Sequence, residues 1–208
     1  HESTITNRMV GFVFYKLFVF LFGLLPFRVV YYISDFISWL LYNVIRYRRK
    51  VVEEQLKNSF PEKSDIEINK IAKKSYDNLS DIIVESIKGF TMTEATFMKR
   101  YIFTNPELAN QMTAKGKNVI FATGHYNNWE WGVISIPLWF NDPSLGFYKP
   151  LSNRYMEAYA KKVRSKFGFI PVPIGETSQT IEQYKGKSSN LLFISDQNTW
   201  SKNALWVQ

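Results

Sequence analysis

His125 and Glu130 are the residues whose types and spacing could carry out proton transfer. They lie in Gly124-His125-Tyr126-Asn127-Asn128-Trp129-Glu130, directly after the apolar run Val119-Ile120-Phe121-Ala122. On one continuous helix, five positions would turn the two side chains roughly 140° apart, at about 100° per residue. A strand ending near Thr123 and a helix beginning near Trp129 would instead bring both to one place. A histidine held by a carboxylate is a general base, because the carboxylate orients the ring, fixes its tautomer and stabilises the imidazolium. The plain alternative is a hydrogen-bonded loop histidine beside a first-turn carboxylate favoured by the helix dipole.

Composition narrows the chemistry. The 208 residues contain no cysteine, which excludes disulfides, thiolate zinc sites and cysteine nucleophiles. Only two histidines occur and one is residue 1, so no histidine-rich metal site is expected. No Gly-x-Ser-x-Gly nucleophile elbow is present either. Net charge is +8, which suits nucleic acid, anionic lipid or an acidic protein. Zinc-finger spacing, an RNA-binding aromatic motif and a basic heptad region are all lacking, so nucleic acid is not expected as a partner.

The elements that must position these residues alternate in type. Strands are expected near 118–123, 145–148, 169–172 and 191–195. Helices are expected at 129–139, 154–167 and 179–184, with Gly168 closing the second. This alternation predicts an α/β fold with a mainly parallel sheet flanked by helices. Upstream, Ser64-Asp65-Ile66-Glu67 is a capping box. It opens a helix whose apolar stripe runs from Ile68 to Ile87 and ends near Gly89. Thr91-Met92-Thr93-Glu94 starts a shorter helix, and Asn105-Pro106 caps another.

The N-terminus reads differently. Met9–Leu25 is strongly apolar apart from Lys16, Pro26 breaks the run, and Val29–Ile45 is apolar apart from Asp35. Each run is close to the lower limit of roughly 17 residues for a spanning helix. Arg46-Tyr47-Arg48-Arg49-Lys50 follows at once. Residues 1–50 hold seven cations against two carboxylates, a net +5. Aromatics beside clustered Arg and Lys suit a cytoplasmic membrane boundary. A pair of buried core helices and a signal peptide are the alternatives, though no small-residue cleavage site is apparent. The expected organisation is a membrane anchor of interfacial or spanning helices over 1–50, then an α/β domain over 51–208.

His125-x4-Glu130 within HYNNWE resembles the signature of the bacterial lipid A late acyltransferases, the lauroyl and myristoyl transferases. These belong to the wider lysophospholipid and glycerolipid acyltransferase group. Other blocks fall in the family's order: Tyr47-Arg48-Arg49, Asn58-Ser59-Phe60-Pro61, Tyr148-Lys149-Pro150-Leu151, Asn153, Arg164 and Asp196-Gln197. Lys149 departs from the family, where arginine often stands. The similarity runs from about Leu24 to the end. It implies that the chain stops before its C-terminal strands and helices, just after Ala204-Leu205-Trp206-Val207.

The resemblance implies a membrane-bound O-acyltransferase at the cytoplasmic face of a bacterial inner membrane. His125 would be the base and Glu130 its orienting partner. Arg164 would hold a phosphate of the acceptor or an acidic carrier, since bidentate phosphate recognition favours arginine. Lys149 would add a point charge. Asn128 is grouped with the substrate-binding residues and also shapes the loop. Asp196, at a strand end, would buttress Arg164 or the following loop, or simply start a turn. No cofactor is implied: acyl carrier protein, or acyl-CoA, supplies the acyl chain as co-substrate. The acceptor is a lipid A precursor or similar glycolipid, with a lysophospholipid, an aminolipid or an inositol mannoside as alternatives. A different class is a non-catalytic protein that binds membrane lipid.

Overall fold

A computed structural model gives the backbone of residues 2–196 and the side chains of residues 9–196. Gln197 and the Ala204–Val207 segment lie outside the described residues. The chain divides into two compact units. One is Val13–Met92, and the other is Thr93 onward together with the first residues of the N-terminal helix. The expected boundary at residue 50 falls inside the first unit.

In that first unit, α1 (Glu2–Leu24) stops at Pro26 and α2 (Phe27–Trp39) follows, running into a π-helical turn at Leu40–Ile45. Pro26 lacks the N–H to continue α1 but pre-sets φ for the start of α2. No single helix among the described residues is long and apolar enough to cross a membrane. Met9–Leu24 and Phe27–Ile45 reach that length and hydropathy only as a pair bent by 119°. Then come α3 (Arg49–Ser59) and α4 (Asp65–Gly89), the latter opened by the capping box: Ser64 accepts from Glu67 N–H, and Glu67 accepts from Ser64 N–H.

Helices α2 and α4 meet along a mixed seam. Phe22, Val30 and Val84 are buried in it. Beside them, Tyr31 donates to Glu85 at 2.6 Å, Ser34 to Asp81 at 2.7 Å and Ser38 to Asp77 at 2.5 Å. Lys88 is buried and donates to the Gly23 and Leu25 carbonyls at 2.5 and 2.6 Å. Those oxygens lie at the C-terminal end of α1, where helical N–H donors run out. The opposite faces stay apolar in solvent: Val13, Phe14, Leu17, Phe18, Leu21 and Leu24 on α1, and Tyr32, Phe36 and Trp39 on α2.

The second unit is the α/β body expected from the sequence. Short helices α5 (Glu94–Arg100) and α6 (Pro106–Thr113) precede β1 (Val119–Thr123), α7 (Trp129–Trp139) and β2 (Ser144–Tyr148). Then follow α8 (Arg154–Arg164), a 3-10 turn at Ser165–Phe167, β3 (Ile170–Pro173), α9 (Thr177–Gln183) and β4 (Asn190–Ile194). All strand pairs are parallel, in the order β1-β4-β2-β3. Both sheet faces are covered around β4. Leu192 and Ile194 pack with Val133, Ile136 and Phe140, while Leu191 and Phe193 pack with Leu145, Val172 and Tyr184. That two-residue alternation is the strand's own period, and it gives β4 the continuous apolar run typical of a buried parallel strand.

Candidate active site

The site forms where β1 and β4 end side by side. Their register pairs Thr123 with Ile194, and Ser195 N–H donates to Thr123 O at 2.8 Å. The next residues on each chain therefore face one another. His125 donates its backbone N–H to Asp196 Oδ2 at 2.7 Å, and its Nδ1 lies 2.8 Å from Asp196 Oδ1. One carboxylate thus holds both the loop and the ring. The two bonds from His125 hold the Asp196 carboxyl below its ordinary pKa.

Gly124 makes this approach possible. A Cβ there would sit 2.8 Å from Asp196 Oδ2, closer than real contacts allow. The loop then turns through Asn127, at φ 51°. Asparagine tolerates this left-handed region better than most side chains. Asn128 follows as N-cap of α7, its Oδ1 accepting from Trp131 N–H at 3.1 Å. It is 4% exposed, a buried cap. Trp129 sets its ring edge-on to His125, with centroids 4.9 Å apart.

The carboxylate bonded to His125 is Asp196, not the Glu130 expected from the sequence. Glu130 sits in the first turn of α7, where an acidic residue suits the helix dipole, and pairs with Arg164 at the end of α8. Arg164 Nη2 donates to Oε1 at 2.7 Å and Nε to Oε2 at 3.2 Å, a bidentate pair. Each side chain is 24% exposed. Burial alone would lower the Arg164 pKa, but hydrogen bonding and the charge of Glu130 outweigh it and raise the value. Of the parts expected of Asp196, a buttress for Arg164, a brace for the following loop or a turn start, the first is filled by Glu130, while Asp196 holds the histidine. The physical reason is topological. Insertion of β4 beside β1 delivers Asp196 to His125, whereas α7 carries Glu130 toward α8.

His125, Glu130, Arg164 and Lys149 all line one cavity of about 410 Å³. Its apolar wall includes Trp129, Val133, Leu151, Phe169, Leu192 and Ile194. Gly146 lies there too, and a Cβ on it would be 2.5 Å from the Phe169 ring. Lys149 is exposed, with no hydrogen-bonding or ionic partner among the described residues. Sequence reasoning placed Tyr148 in a family block without a role and passed over Glu157. The Tyr148 hydroxyl donates to Glu157, which also accepts from Leu151 N–H at 2.8 Å. Burial first, and then this bond, push the Tyr148 pKa up to about 12. The pair fastens the loop that carries Lys149, and the Arg164 guanidinium lies 5.6 Å from the Tyr148 ring centre. A smaller cavity of about 140 Å³ shares Trp129, Val133, Leu192 and Ile194 with the first and adds Tyr101 and Phe121.

A half-exposed histidine anchored by a carboxylate, on the wall of a largely apolar cavity with cations at its edge, suits proton abstraction from a substrate that is part lipid and part anion. A comparison with curated proteins gave no match. The family model for bacterial lipid A biosynthesis acyltransferases matches residues 2–208. The chain therefore belongs to the bacterial lipid A biosynthesis acyltransferase family, and its chemistry is acyl transfer.

Proposed function

We propose that this protein moves a fatty acyl chain from an acyl carrier protein thioester to a hydroxyl of a lipid A precursor, at the cytoplasmic face of the inner membrane. The observation that carries the reading is the pairing of His125 Nδ1 with Asp196 at 2.8 Å, with the histidine on the cavity wall. With a proton on Nδ1 facing the carboxylate, Nε2 is left as the base. It takes the proton of the acceptor hydroxyl as that oxygen attacks the thioester carbonyl. The carbon–sulfur bond breaks, an ester bond forms, and the proton passes from His125 to the leaving thiolate. No acyl-enzyme is required, because the thioester is already activated.

The other residues position the reactants. Asp196 fixes the histidine tautomer and offsets the developing imidazolium charge. Glu130 keeps Arg164 extended across the cavity edge, and Arg164 with Lys149 meets the phosphate of the acceptor or carrier. The apolar wall holds the acyl chain. General base catalysis is worth about 10²–10⁴-fold, and positioning supplies much of the rest.

Lipid mass spectrometry tests this directly. The full-length gene and its His125→Ala form would be expressed in a Gram-negative host lacking late acylation of lipid A. One added acyl mass on the precursor with the wild type alone supports the acceptor and the base together. A new acylated phospholipid or aminolipid would retain the mechanism and replace the acceptor. No lipid change from well-expressed protein would overturn both.

A further inference from the structure

The proposed reaction makes no use of the sharp turn between the π-helical segment and α3. Among the described residues, three non-glycine residues have positive φ: Asn127 in the site loop, and Arg46 and Arg48 here, at 53° and 50°. Glycine or asparagine takes this conformation most readily, and arginine does not. The chain places arginine there twice, on either side of Tyr47. The turn is held from behind, where the Tyr76 hydroxyl donates to the Tyr47 carbonyl at 2.5 Å. Strained backbone that the surroundings enforce marks a place where the side chains have a task.

The cations are also free to act. Arg49 is engaged by Glu53 at 2.7 Å and lies over the Tyr42 ring. Arg46, Arg48 and Lys50 are exposed and have no partner among the described residues. Together with Arg49, Val51 and Glu53 they line a concavity of about 500 Å³. Glu53 is its lone carboxylate and is already paired. Val44, Ile45 and Tyr47 stand beside the cations, each at least half exposed. Apolar and aromatic side chains interleaved with unpaired cations fit a bilayer interface, where the former enter the headgroup layer and the latter meet phosphate. An acidic protein would satisfy the charges but has no particular use for exposed Val44 and Ile45.

We propose that this turn is a binding site for phosphate headgroups of an anionic bilayer, with Arg46, Arg48 and Lys50 as its ligands. It rests on the reading that the protein works at a membrane, but not on the chemistry of His125.

The test is flotation of the purified full-length protein with vesicles of phosphatidylcholine, with or without a minor fraction of phosphatidylglycerol. The wild type should bind the anionic vesicles more tightly, and added salt should weaken the preference. In Arg46→Gly/Arg48→Gly, glycine suits the left-handed backbone, so the turn and the thermal unfolding temperature should persist. Affinity for anionic vesicles should fall about 30-fold, at about fivefold per cation. Lys50→Glu, at an ordinary helical position, changes the charge by two and should weaken binding by a similar factor. An undiminished anionic preference in both variants would overturn the proposal. So would wild-type protein that binds neutral vesicles equally well. Loss of binding to an acyl carrier protein, with vesicle binding intact, would reassign the turn to a protein partner. His125→Ala should retain the vesicle preference while losing lipid acylation, which separates failure of this site from failure of the proposed reaction.

Discussion

Replacing Asp196 with asparagine should silence His125 without unfolding the protein. Both Asp196 oxygens accept from His125, Oδ2 from the backbone N–H at 2.7 Å and Oδ1 at the ring Nδ1 at 2.8 Å. Asparagine offers one acceptor and one NH₂ group in the same shape. The backbone N–H can only donate, so the amide oxygen must face it. The NH₂ then faces Nδ1, and the ring relieves the donor–donor conflict by moving its proton to Nε2. That is the wrong tautomer for a base. The expected loss in kcat is about 10²–10⁴-fold, or roughly 3–5 kcal/mol of barrier at 1.36 kcal/mol per decade. KM should change little, because Asp196 holds the base rather than the substrate. The assay is steady-state acyl transfer by purified enzyme, with Glu130→Gln as comparator. That variant leaves the histidine tautomer alone and weakens only the hold on Arg164, so its kcat should fall less. A folded Asp196→Asn enzyme within a few-fold of wild type would refute the reasoning, as would a deeper kcat loss in Glu130→Gln.

Gly124→Ala should reduce kcat in the same direction. Its Cβ would be 2.8 Å from Asp196 Oδ2 and push the carboxylate off His125, a change visible in the histidine side-chain NMR signals. Arg164→Lys removes the two-pronged contact with Glu130 and should destabilise the fold by about 1–3 kcal/mol in denaturant titration, since charged hydrogen bonds are worth that much. Its KM for the anionic substrate should rise more than its kcat falls. Tyr148 gives an alkaline signature. Its pKa is raised to about 12 in the fold, so its contribution is full below the unfolded value near 10 and is lost as pH rises through about 12. Wild type should therefore lose stability over that window relative to Tyr148→Phe in thermal melts. Asp196 has the opposite sign. Its pKa is lowered, so the stability it contributes is present above the usual carboxylate value near 4 and is lost as pH falls through its lower folded value.

Local structure was legible in the residues because local rules dictate it. The capping box at Ser64 and Glu67, the proline break after α1, and the start and end of α7 all follow from patterns within a few positions. The helix end at Gly89 and the four strands fall within a residue or two of expectation. The π-helical turn at Leu40–Ile45 carries no such signal, being apolar sequence continuous with α2. The carboxylate partner of His125 was not legible either. Glu130 is five residues away, while Asp196 is 71 residues away and reaches the ring only because of the strand order. One clue was present in the chain, a glycine immediately before the histidine. Its backbone does not need a positive φ; it needs room for a carboxylate. Lys88 is a similar case, a lysine on the apolar side of a helix that looks misplaced until the carbonyls of Gly23 and Leu25 are found beside it.

The sheet order has a consequence for how the enzyme comes into being. β4 is the last of the described strands to be synthesised, yet it lies between β1 and β2. Until it arrives, β1 has no hydrogen-bonded neighbour among the described strands, and the half-built sheet has an open slot between β1 and β2. Long-range parallel pairing of this kind is slow, because the connecting chain must be closed before any contact rewards it. The same strand carries Asp196 to its end, so the histidine acquires its partner only as the slot is filled. On the proposed mechanism, a nascent chain lacks an oriented base at His125 until β4 enters the sheet.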